Sequence, residues 1–149
     1  MNKIKLNFLL VLSFIVSAAI PNPPDLGVGS YVLYEPNTKK VLVSFNADEP
    51  VQPASLTKLM TSYVVADYIK EDFIRLDDTP KISIKAWKTE GSRMFIREGT
   101  KVAVSDLIKG MIIQSGNDAS VALAEHVAGS EENFAYLMNE YASQLGMQN

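Results

Sequence analysis

The sequence predicts a mixed α/β fold in which a β-hairpin is followed by a helical part. Two short β-rich segments, 30–34 and 40–45, flank a turn that contains Pro36 and Asn37. From 54 to about 70, apolar residues recur three or four positions apart, which is helical spacing and indicates a buried helix. Three further helical segments follow, so the helical part is the larger one.

The region between the first long helix and the last three has no clear period. Residues 76–84 are expected to form a loop that leads into a short strand. Residues 85–100 are expected to be irregular, because Gly91 and Gly99 interrupt them. The aromatic side chains expected in the core are Tyr63, Trp87 and Phe95.

The last three helices are predicted from their end signals. Ser105 is expected to cap a helix over 106–113. A second helix covers 119–128 before Gly129, with its cap at one of the two polar residues that precede it, Asn117 or Asp118. Ser130 opens the last helix, which runs to Leu145 before Gly146.

The first 20 residues are typical of a secretory signal peptide. Lys3 and Lys5 precede an apolar run over 6–16 that ends in small residues. A retained transmembrane anchor is the alternative, although the run is short and a proline-rich linker over 21–29 follows at once. We therefore expect an exported protein, in the periplasm or at the outer face of the cytoplasmic membrane.

Composition excludes several classes of function. A hydrophobic content of 47% with 21% charged residues is that of a globular protein. The net charge of -3 and the lack of a basic cluster argue against nucleic-acid binding. Without cysteine there is neither a disulfide framework nor a thiolate site, and the single histidine, His126, has no second histidine to share a metal. We expect no metal and no cofactor.

Ser55 and Lys58 are the first candidate catalytic pair. They are three residues apart at the start of the first long helix, so they share one helix face. A desolvated lysine can take the proton of a neighbouring serine, and free N–H groups of a first helical turn, here after Pro53, can stabilise an oxyanion. The alternative is a capped helix with a solvated lysine.

Ser115 and Asn117 form the second candidate pair. Gly116 between them allows a sharp turn that exposes both side chains from a loop between helices. The alternative is a plain helix–turn–helix connection capped by Asn117. Ser44 and Asn46 repeat the same Ser-x-Asn spacing at the end of a predicted strand, and we treat them as a decoy.

These two motifs together resemble the serine-type D-alanyl-D-alanine carboxypeptidases among the low-molecular-mass penicillin-binding proteins. The resemblance rests on 53–64 around Ser55 and on 107–119 around Ser115. Shorter stretches at 92–95, 128–130 and 145–147 resemble the family in order and spacing. The resemblance implies a β-lactamase/transpeptidase-like serine hydrolase fold.

The resemblance also implies a role for each matching residue. Ser55 would be the nucleophile that attacks the bond between the two D-alanines of a peptidoglycan stem peptide, forming an acyl-enzyme. Lys58 would be the general base, Ser115 a proton relay toward the leaving group, and Asn117 a ligand of the substrate amide. β-Lactams, which resemble the D-Ala-D-Ala terminus, would acylate the same serine.

The family's third motif, Lys-Thr-Gly, does not occur in this sequence. We therefore expect residues 30–149 to be the N-terminal part of a catalytic domain, with an incomplete fold and little or no turnover by itself. Membrane association would require an uncleaved signal or a C-terminal anchor such as many relatives carry. A class A β-lactamase, a non-catalytic peptidoglycan-binding remnant and a purely structural secreted domain remain as alternatives.

Overall fold

A computed structural model describes residues 24–147, so the predicted signal peptide lies outside the described residues. The chain divides into two compact units, one through Glu49 and one from Pro50. In the described part of the chain, no helix has the length and apolar character needed to cross a membrane.

The first unit contains the predicted β-hairpin. Strands β1 (Tyr31–Glu35) and β2 (Lys40–Phe45) pair antiparallel, with a register irregularity between Leu33 and Tyr34. The Glu35 carboxylate accepts hydrogen bonds from the N–H and the hydroxyl of Thr38, which closes the turn. These bonds, above all the one from the hydroxyl, lower the Glu35 pKa to about 2. The hairpin prediction is therefore confirmed to within one residue at each strand end.

The second unit is helical. A single 3₁₀ turn, Ala54–Leu56, leads directly into the long helix α1. The α-helices in chain order are α1 (Thr57–Lys70), α2 (Ile84–Lys88), α3 (Val104–Ile113), α4 (Asn117–Ala128) and α5 (Glu131–Gln144).

Helix α4 is the central element of this unit. It packs against α1, α2, α3 and α5, and six of its twelve residues are buried. Small side chains such as Ala119 and Ala122 let the neighbouring helices approach, and Leu123 fills the space between them. The other helices contribute the core residues Val64, Val65, Ala86, Val104, Leu107, Met111 and Phe134. This packing holds the N-terminus of α4 against α1.

Three predictions about local structure are wrong. The region expected to be irregular contains α2, whose N-cap Ser83 accepts the Ala86 N–H at 2.9 Å. The short strand expected before residue 85 is reduced to one isolated bridge, Lys81 to Lys101. Helix α3 begins at Val104 and not after Ser105, because the chain enters through an extended Ala103 that supplies no side-chain cap.

The burial predictions also need correction. Helix α1 buries only Thr61, Val64 and Val65, whereas Leu56 and Leu59 are 68% and 71% exposed. The three aromatic residues expected in the core, Tyr63, Trp87 and Phe95, are 49%, 41% and 75% exposed. Spacing along the chain identifies an apolar face, but it does not say what covers that face.

Candidate active site

Ser55 lies in the 3₁₀ turn that precedes α1. Its side chain is exposed, and its Oγ accepts a hydrogen bond from Ser115 Oγ at 3.0 Å. The Leu56 N–H is bonded to Pro53 O, whereas within residues 24–147 the Ser55 N–H donates to no acceptor. An unused backbone donor beside a hydroxyl is one element of an oxyanion-binding site.

Lys58 follows one turn later and is half-buried. Its ammonium group has three N–H donors, and three oxygens accept them: Ser115 O at 2.6 Å, Asn117 Oδ1 at 2.6 Å and Ser115 Oγ at 3.1 Å. Desolvation lowers the pKa of Lys58 from its ordinary value, and the charge of Asp118 opposes that shift. The lysine is thus fully hydrogen-bonded and easier to deprotonate than a solvated one.

Ser115 connects the other two groups. Its hydroxyl lies 3.1 Å from Lys58 Nζ and 3.0 Å from Ser55 Oγ, whereas no direct Ser55–Lys58 hydrogen bond is present in the described chain. Ser115 adopts a left-handed backbone conformation, with φ at 53°, which is uncommon for a residue with a side chain. In this conformation both its carbonyl and its hydroxyl contact Lys58.

Asn117 is oriented at both ends of its carboxamide. Its Oδ1 accepts from Lys58, and its Nδ2 donates to Glu90 O at 2.7 Å. Its backbone N–H donates to Ser92 O, also at 2.7 Å. Asn117 is the first residue of α4 and not its N-cap, because Gly116 occupies that position and the Asn117 side chain faces the lysine. The predicted capping alternative for Asn117 is therefore wrong.

A cavity of about 690 Å³ adjoins these groups. Ser55, Lys58 and Asn117 are among its lining residues, together with the apolar side chains of Val121 from α4 and Phe134 from α5. A cleft of this size with a few convergent polar groups is the usual setting of a small-ligand or catalytic site.

The structure therefore brings together all four residues that the sequence nominated. The decoy pair belongs to the hairpin unit, where Asn46 Nδ2 donates to the nearby Gly29 O at 3.0 Å. His126 lies on α4 with its Nε2 3.2 Å from Asp78 Oδ2. Over residues 24–147, no cluster of three or more acidic, histidine or cysteine side chains could hold a metal ion.

Sequence reasoning missed the backbone that supports Asn117. The carbonyls of Glu90 and Ser92 hold its carboxamide and its N–H, and Asp118 binds the same segment. A backbone carbonyl can belong to any residue type, so a sequence does not reveal which carbonyls will act as acceptors. Gly91, between the two carbonyls, was a sequence feature that indicated a close approach. At φ 87°, a Cβ on Gly91 would lie 2.6 Å from Asn117 Nδ2.

Comparison with known proteins supports the family resemblance that the two motifs suggested. A family model described as D-alanyl-D-alanine carboxypeptidase matches residues 17–149. The curated protein D-alanyl-D-alanine carboxypeptidase DacC of Escherichia coli (strain K12) is 48% identical over 132 residues, covering 85% of this chain and 33% of that protein. The chain thus spans about a third of the length of this relative.

Solved structures confirm the predicted transpeptidase-like fold. Penicillin binding protein 5 from Haemophilus influenzae matches with a TM-score of 0.82 and 43% identity, over 87% of this chain and 38% of that one. Penicillin-binding protein D2 from Listeria monocytogenes, solved in an ampicillin-bound form, matches with a TM-score of 0.73 and 26% identity, over 87% and 51% of the two chains.

Proposed function

Because the chain belongs to the D-alanyl-D-alanine carboxypeptidase family, we propose that its four candidate residues belong to a site that removes the terminal D-alanine from peptidoglycan stem peptides through an acyl-enzyme on Ser55. Without the Lys-Thr-Gly motif, residues 1–149 alone should be acylated but should show little or no turnover. The observation that carries this proposal is the hydrogen-bonded chain from Ser55 through Ser115 to Lys58, with links of 3.0 and 3.1 Å. It joins a nucleophile to a base in the order that acyl transfer needs.

Acylation begins with proton transfer along that chain. When Lys58 is neutral, its lone pair can accept the Ser115 proton while Ser115 Oγ accepts the proton of Ser55. Only the two hydroxyl hydrogens need to turn, because the heavy atoms are already at hydrogen-bond distance. Ser55 Oγ then bonds to the carbonyl carbon, and the Ser55 N–H is placed to stabilise the oxyanion.

The same groups return the proton in the next step. The carbon–nitrogen bond breaks as the amine of the leaving D-alanine takes a proton from Lys58 by way of Ser115. Water then attacks the ester, its proton passes to the same base, and Ser55 regains its hydroxyl hydrogen. The lowered pKa of Lys58 favours this use, since a base must be neutral for part of the time at working pH.

Asn117 serves this mechanism in two ways. Its Oδ1 fixes the position of Lys58 at 2.6 Å, and its Nδ2 keeps one hydrogen free after bonding Glu90 O. That hydrogen is available to a substrate carbonyl at the rim of the cleft. The proposed substrate contact therefore needs no rearrangement of the carboxamide.

The partner molecules follow from the same chemistry. We assign a D-Ala-D-Ala peptide as substrate and β-lactams as acylating inhibitors, since a Listeria relative with this fold binds ampicillin. An exported location, which the charged and apolar pattern of residues 1–20 favours, would bring the site to the cell wall. The names of the relatives favour this proposal over the β-lactamase alternative.

Labelling with a fluorescent penicillin tests the proposal, because one covalent event per molecule is enough for detection. The unaltered chain should acquire one label on the peptide that contains Ser55, and Ser55→Ala should acquire none. Ser44→Ala, the matched change in the decoy motif, should be labelled like the unaltered chain. Labelling of Ser55→Ala, or no labelling of the unaltered chain, would contradict the proposal.

A further inference from the structure

Asp118 is a charged residue in the interior of the helical unit. It is 1% exposed, and no Lys, Arg or His forms a salt bridge with it in the described chain. A buried carboxylate without a cation is costly unless N–H donors replace its hydration. Three backbone amides do so: Met94 at 3.0 Å, Ile96 at 3.2 Å and Ala119 at 2.9 Å.

Two of these donors belong to the segment that also holds Asn117. We call residues 90–96 the supporting segment. Its Met94 and Ile96 N–H groups bind Asp118, while its Glu90 and Ser92 carbonyls bind Asn117. Asn117 and Asp118, adjacent in α4, thus bind the same segment: Asn117 donates to its carbonyls, and Asp118 accepts from its N–H groups.

The fit between the supporting segment and α4 is close. A Cβ added to Gly116 would lie 3.0 Å from Asp118 Oδ1 and 3.3 Å from Met94 N. A Cβ on Gly91 would lie 2.6 Å from Asn117 Nδ2. Since neither side has room to spare, a shift of the supporting segment would move the carbonyls that orient Asn117.

On the basis of the proposed function, we infer that Asp118 is a positioning residue, which holds the supporting segment so that Asn117 presents its amide oxygen to Lys58. The path runs from Asp118 to the segment, from the segment to Asn117, and from Asn117 Oδ1 to Lys58 Nζ at 2.6 Å. Asp118 itself contacts neither Ser55 nor the site of attack.

The charge of Asp118 gives this role a distinctive signature. Among the groups near Lys58, Ser115 and Asn117 are neutral, and Glu131, which also lines the cavity, pairs with Lys85 at 2.9 Å. The negative charge of Asp118 raises the pKa of Lys58 against the effect of desolvation. Loss of that charge should therefore move the Lys58 titration to lower pH, whereas a loss of packing that lets water reach Lys58 would move it to higher pH.

Asp118→Asn is the primary test. The amide keeps one acceptor oxygen but turns an NH₂ group toward the N–H donors, so the supporting segment should shift. A misplacement of about 1 Å can cost about 100-fold in rate, so penicillin labelling should slow by about that factor. Asp106→Asn is the matched control, because Asp106 is also in the first turn of a helix but is exposed and pairs with Lys109.

The second readout does not depend on activity. The Cε resonance of Lys58, in protein labelled with ¹³C-lysine and assigned through Lys58→Arg, follows its protonation directly. We expect its midpoint to fall in Asp118→Asn and to stay unchanged in Asp106→Asn. Asp118→Glu, which keeps the charge, should slow labelling without lowering the midpoint. A midpoint that stays or rises in Asp118→Asn would overturn the inference.

The unaltered chain provides a test if Asp118 variants do not fold. The Met94, Ile96 and Asn117 amides should show a common free energy of opening in hydrogen exchange, since one segment holds all three. Much faster exchange at Asn117 than at the other two would overturn the inference. If Ser55 is not labelled at all, the proposed function fails, but the titration and exchange measurements still decide the role of Asp118.

Discussion

Removal of the Ser115 hydroxyl should stop proton transfer while leaving the site in place. In Ser115→Ala, Lys58 loses the acceptor at 3.1 Å but keeps Ser115 O and Asn117 Oδ1, both at 2.6 Å. The lysine therefore stays where it is. Because Ser55 and Lys58 share no direct hydrogen bond in the described chain, the relay between them is lost.

The size of the effect follows from general acid–base catalysis. A positioned proton-transfer group contributes about 10²- to 10⁴-fold in rate, or about 3 to 5 kcal/mol of barrier. Ser115→Ala should slow penicillin labelling within that range. Its stability should change little, because alanine carries the same Cβ at the positive φ of 53°. Ser115→Gly should be labelled as slowly yet be more stable, since glycine relieves that strain.

The assay is the time course of fluorescent penicillin labelling, with chemical denaturation as the measure of stability. Ser120→Ala is the matched control, because its hydroxyl bonds Gly116 O at 2.8 Å on the same helix and lines the same cavity. It should be labelled at the normal rate. Normal labelling of Ser115→Ala would refute the relay and leave Lys58 to act on Ser55 directly.

Three further predictions concern charge and stability. Labelling should accelerate as pH rises through the Lys58 pKa, and the midpoint should lie below the pKa of a free lysine because desolvation lowers the Lys58 pKa. A midpoint at or above the pKa of a free lysine would contradict the assignment of Lys58 as the base. Ser130→Ala removes the N-cap of α5, whose Oγ accepts the Asn133 N–H at 3.1 Å, and should cost about 1 kcal/mol in denaturation without slowing labelling. Tyr141 Oη donates to Asp67 Oδ2 at 2.5 Å, a bond that raises the Tyr141 pKa to about 12. Asp67→Asn should therefore bring tyrosinate absorbance to lower pH, and an unchanged alkaline titration would exclude that bond as the cause.

Local signals in the sequence were enough to identify the start of α1 and the two motifs. Pro53 and the three-residue spacing of Ser55 and Lys58 report on a single helical turn, which neighbouring residues determine. Ser130 was likewise recognisable as a cap because its partner lies three residues away. Features that depend on a few adjacent residues are those that a single sequence can predict.

The route of the proton could not be predicted in this way. The sequence suggested that Lys58 would act on Ser55 directly, whereas the structure places Ser115 between them. That arrangement depends on α4 packing against α1 across about sixty residues of chain and on the left-handed conformation of Ser115. Spacing within one helix contains no information about either.

The exposed face of α1 shows that the burial of side chains could not be predicted from their spacing either. Leu56 and Leu59 have the apolar spacing of a buried helix, yet more than two thirds of each remains accessible. Helical periodicity reports which residues lie together, but burial requires a partner surface. In the described second unit, the core formed instead around α4, whose small residues admit four neighbouring helices.

Opposing influences on Lys58 explain why one residue can both take and return a proton. Three oxygen acceptors and the charge of Asp118 favour the ammonium form, whereas desolvation favours the neutral amine. A strongly stabilised ammonium would never accept the serine proton, and an unsupported amine would not return it to the leaving group. Since efficient acid–base catalysis needs a pKa near the working pH, the surroundings of Lys58 matter as much as its distance from Ser55. The supporting segment, which orients Asn117, therefore belongs to the chemistry of this site as well as to its architecture.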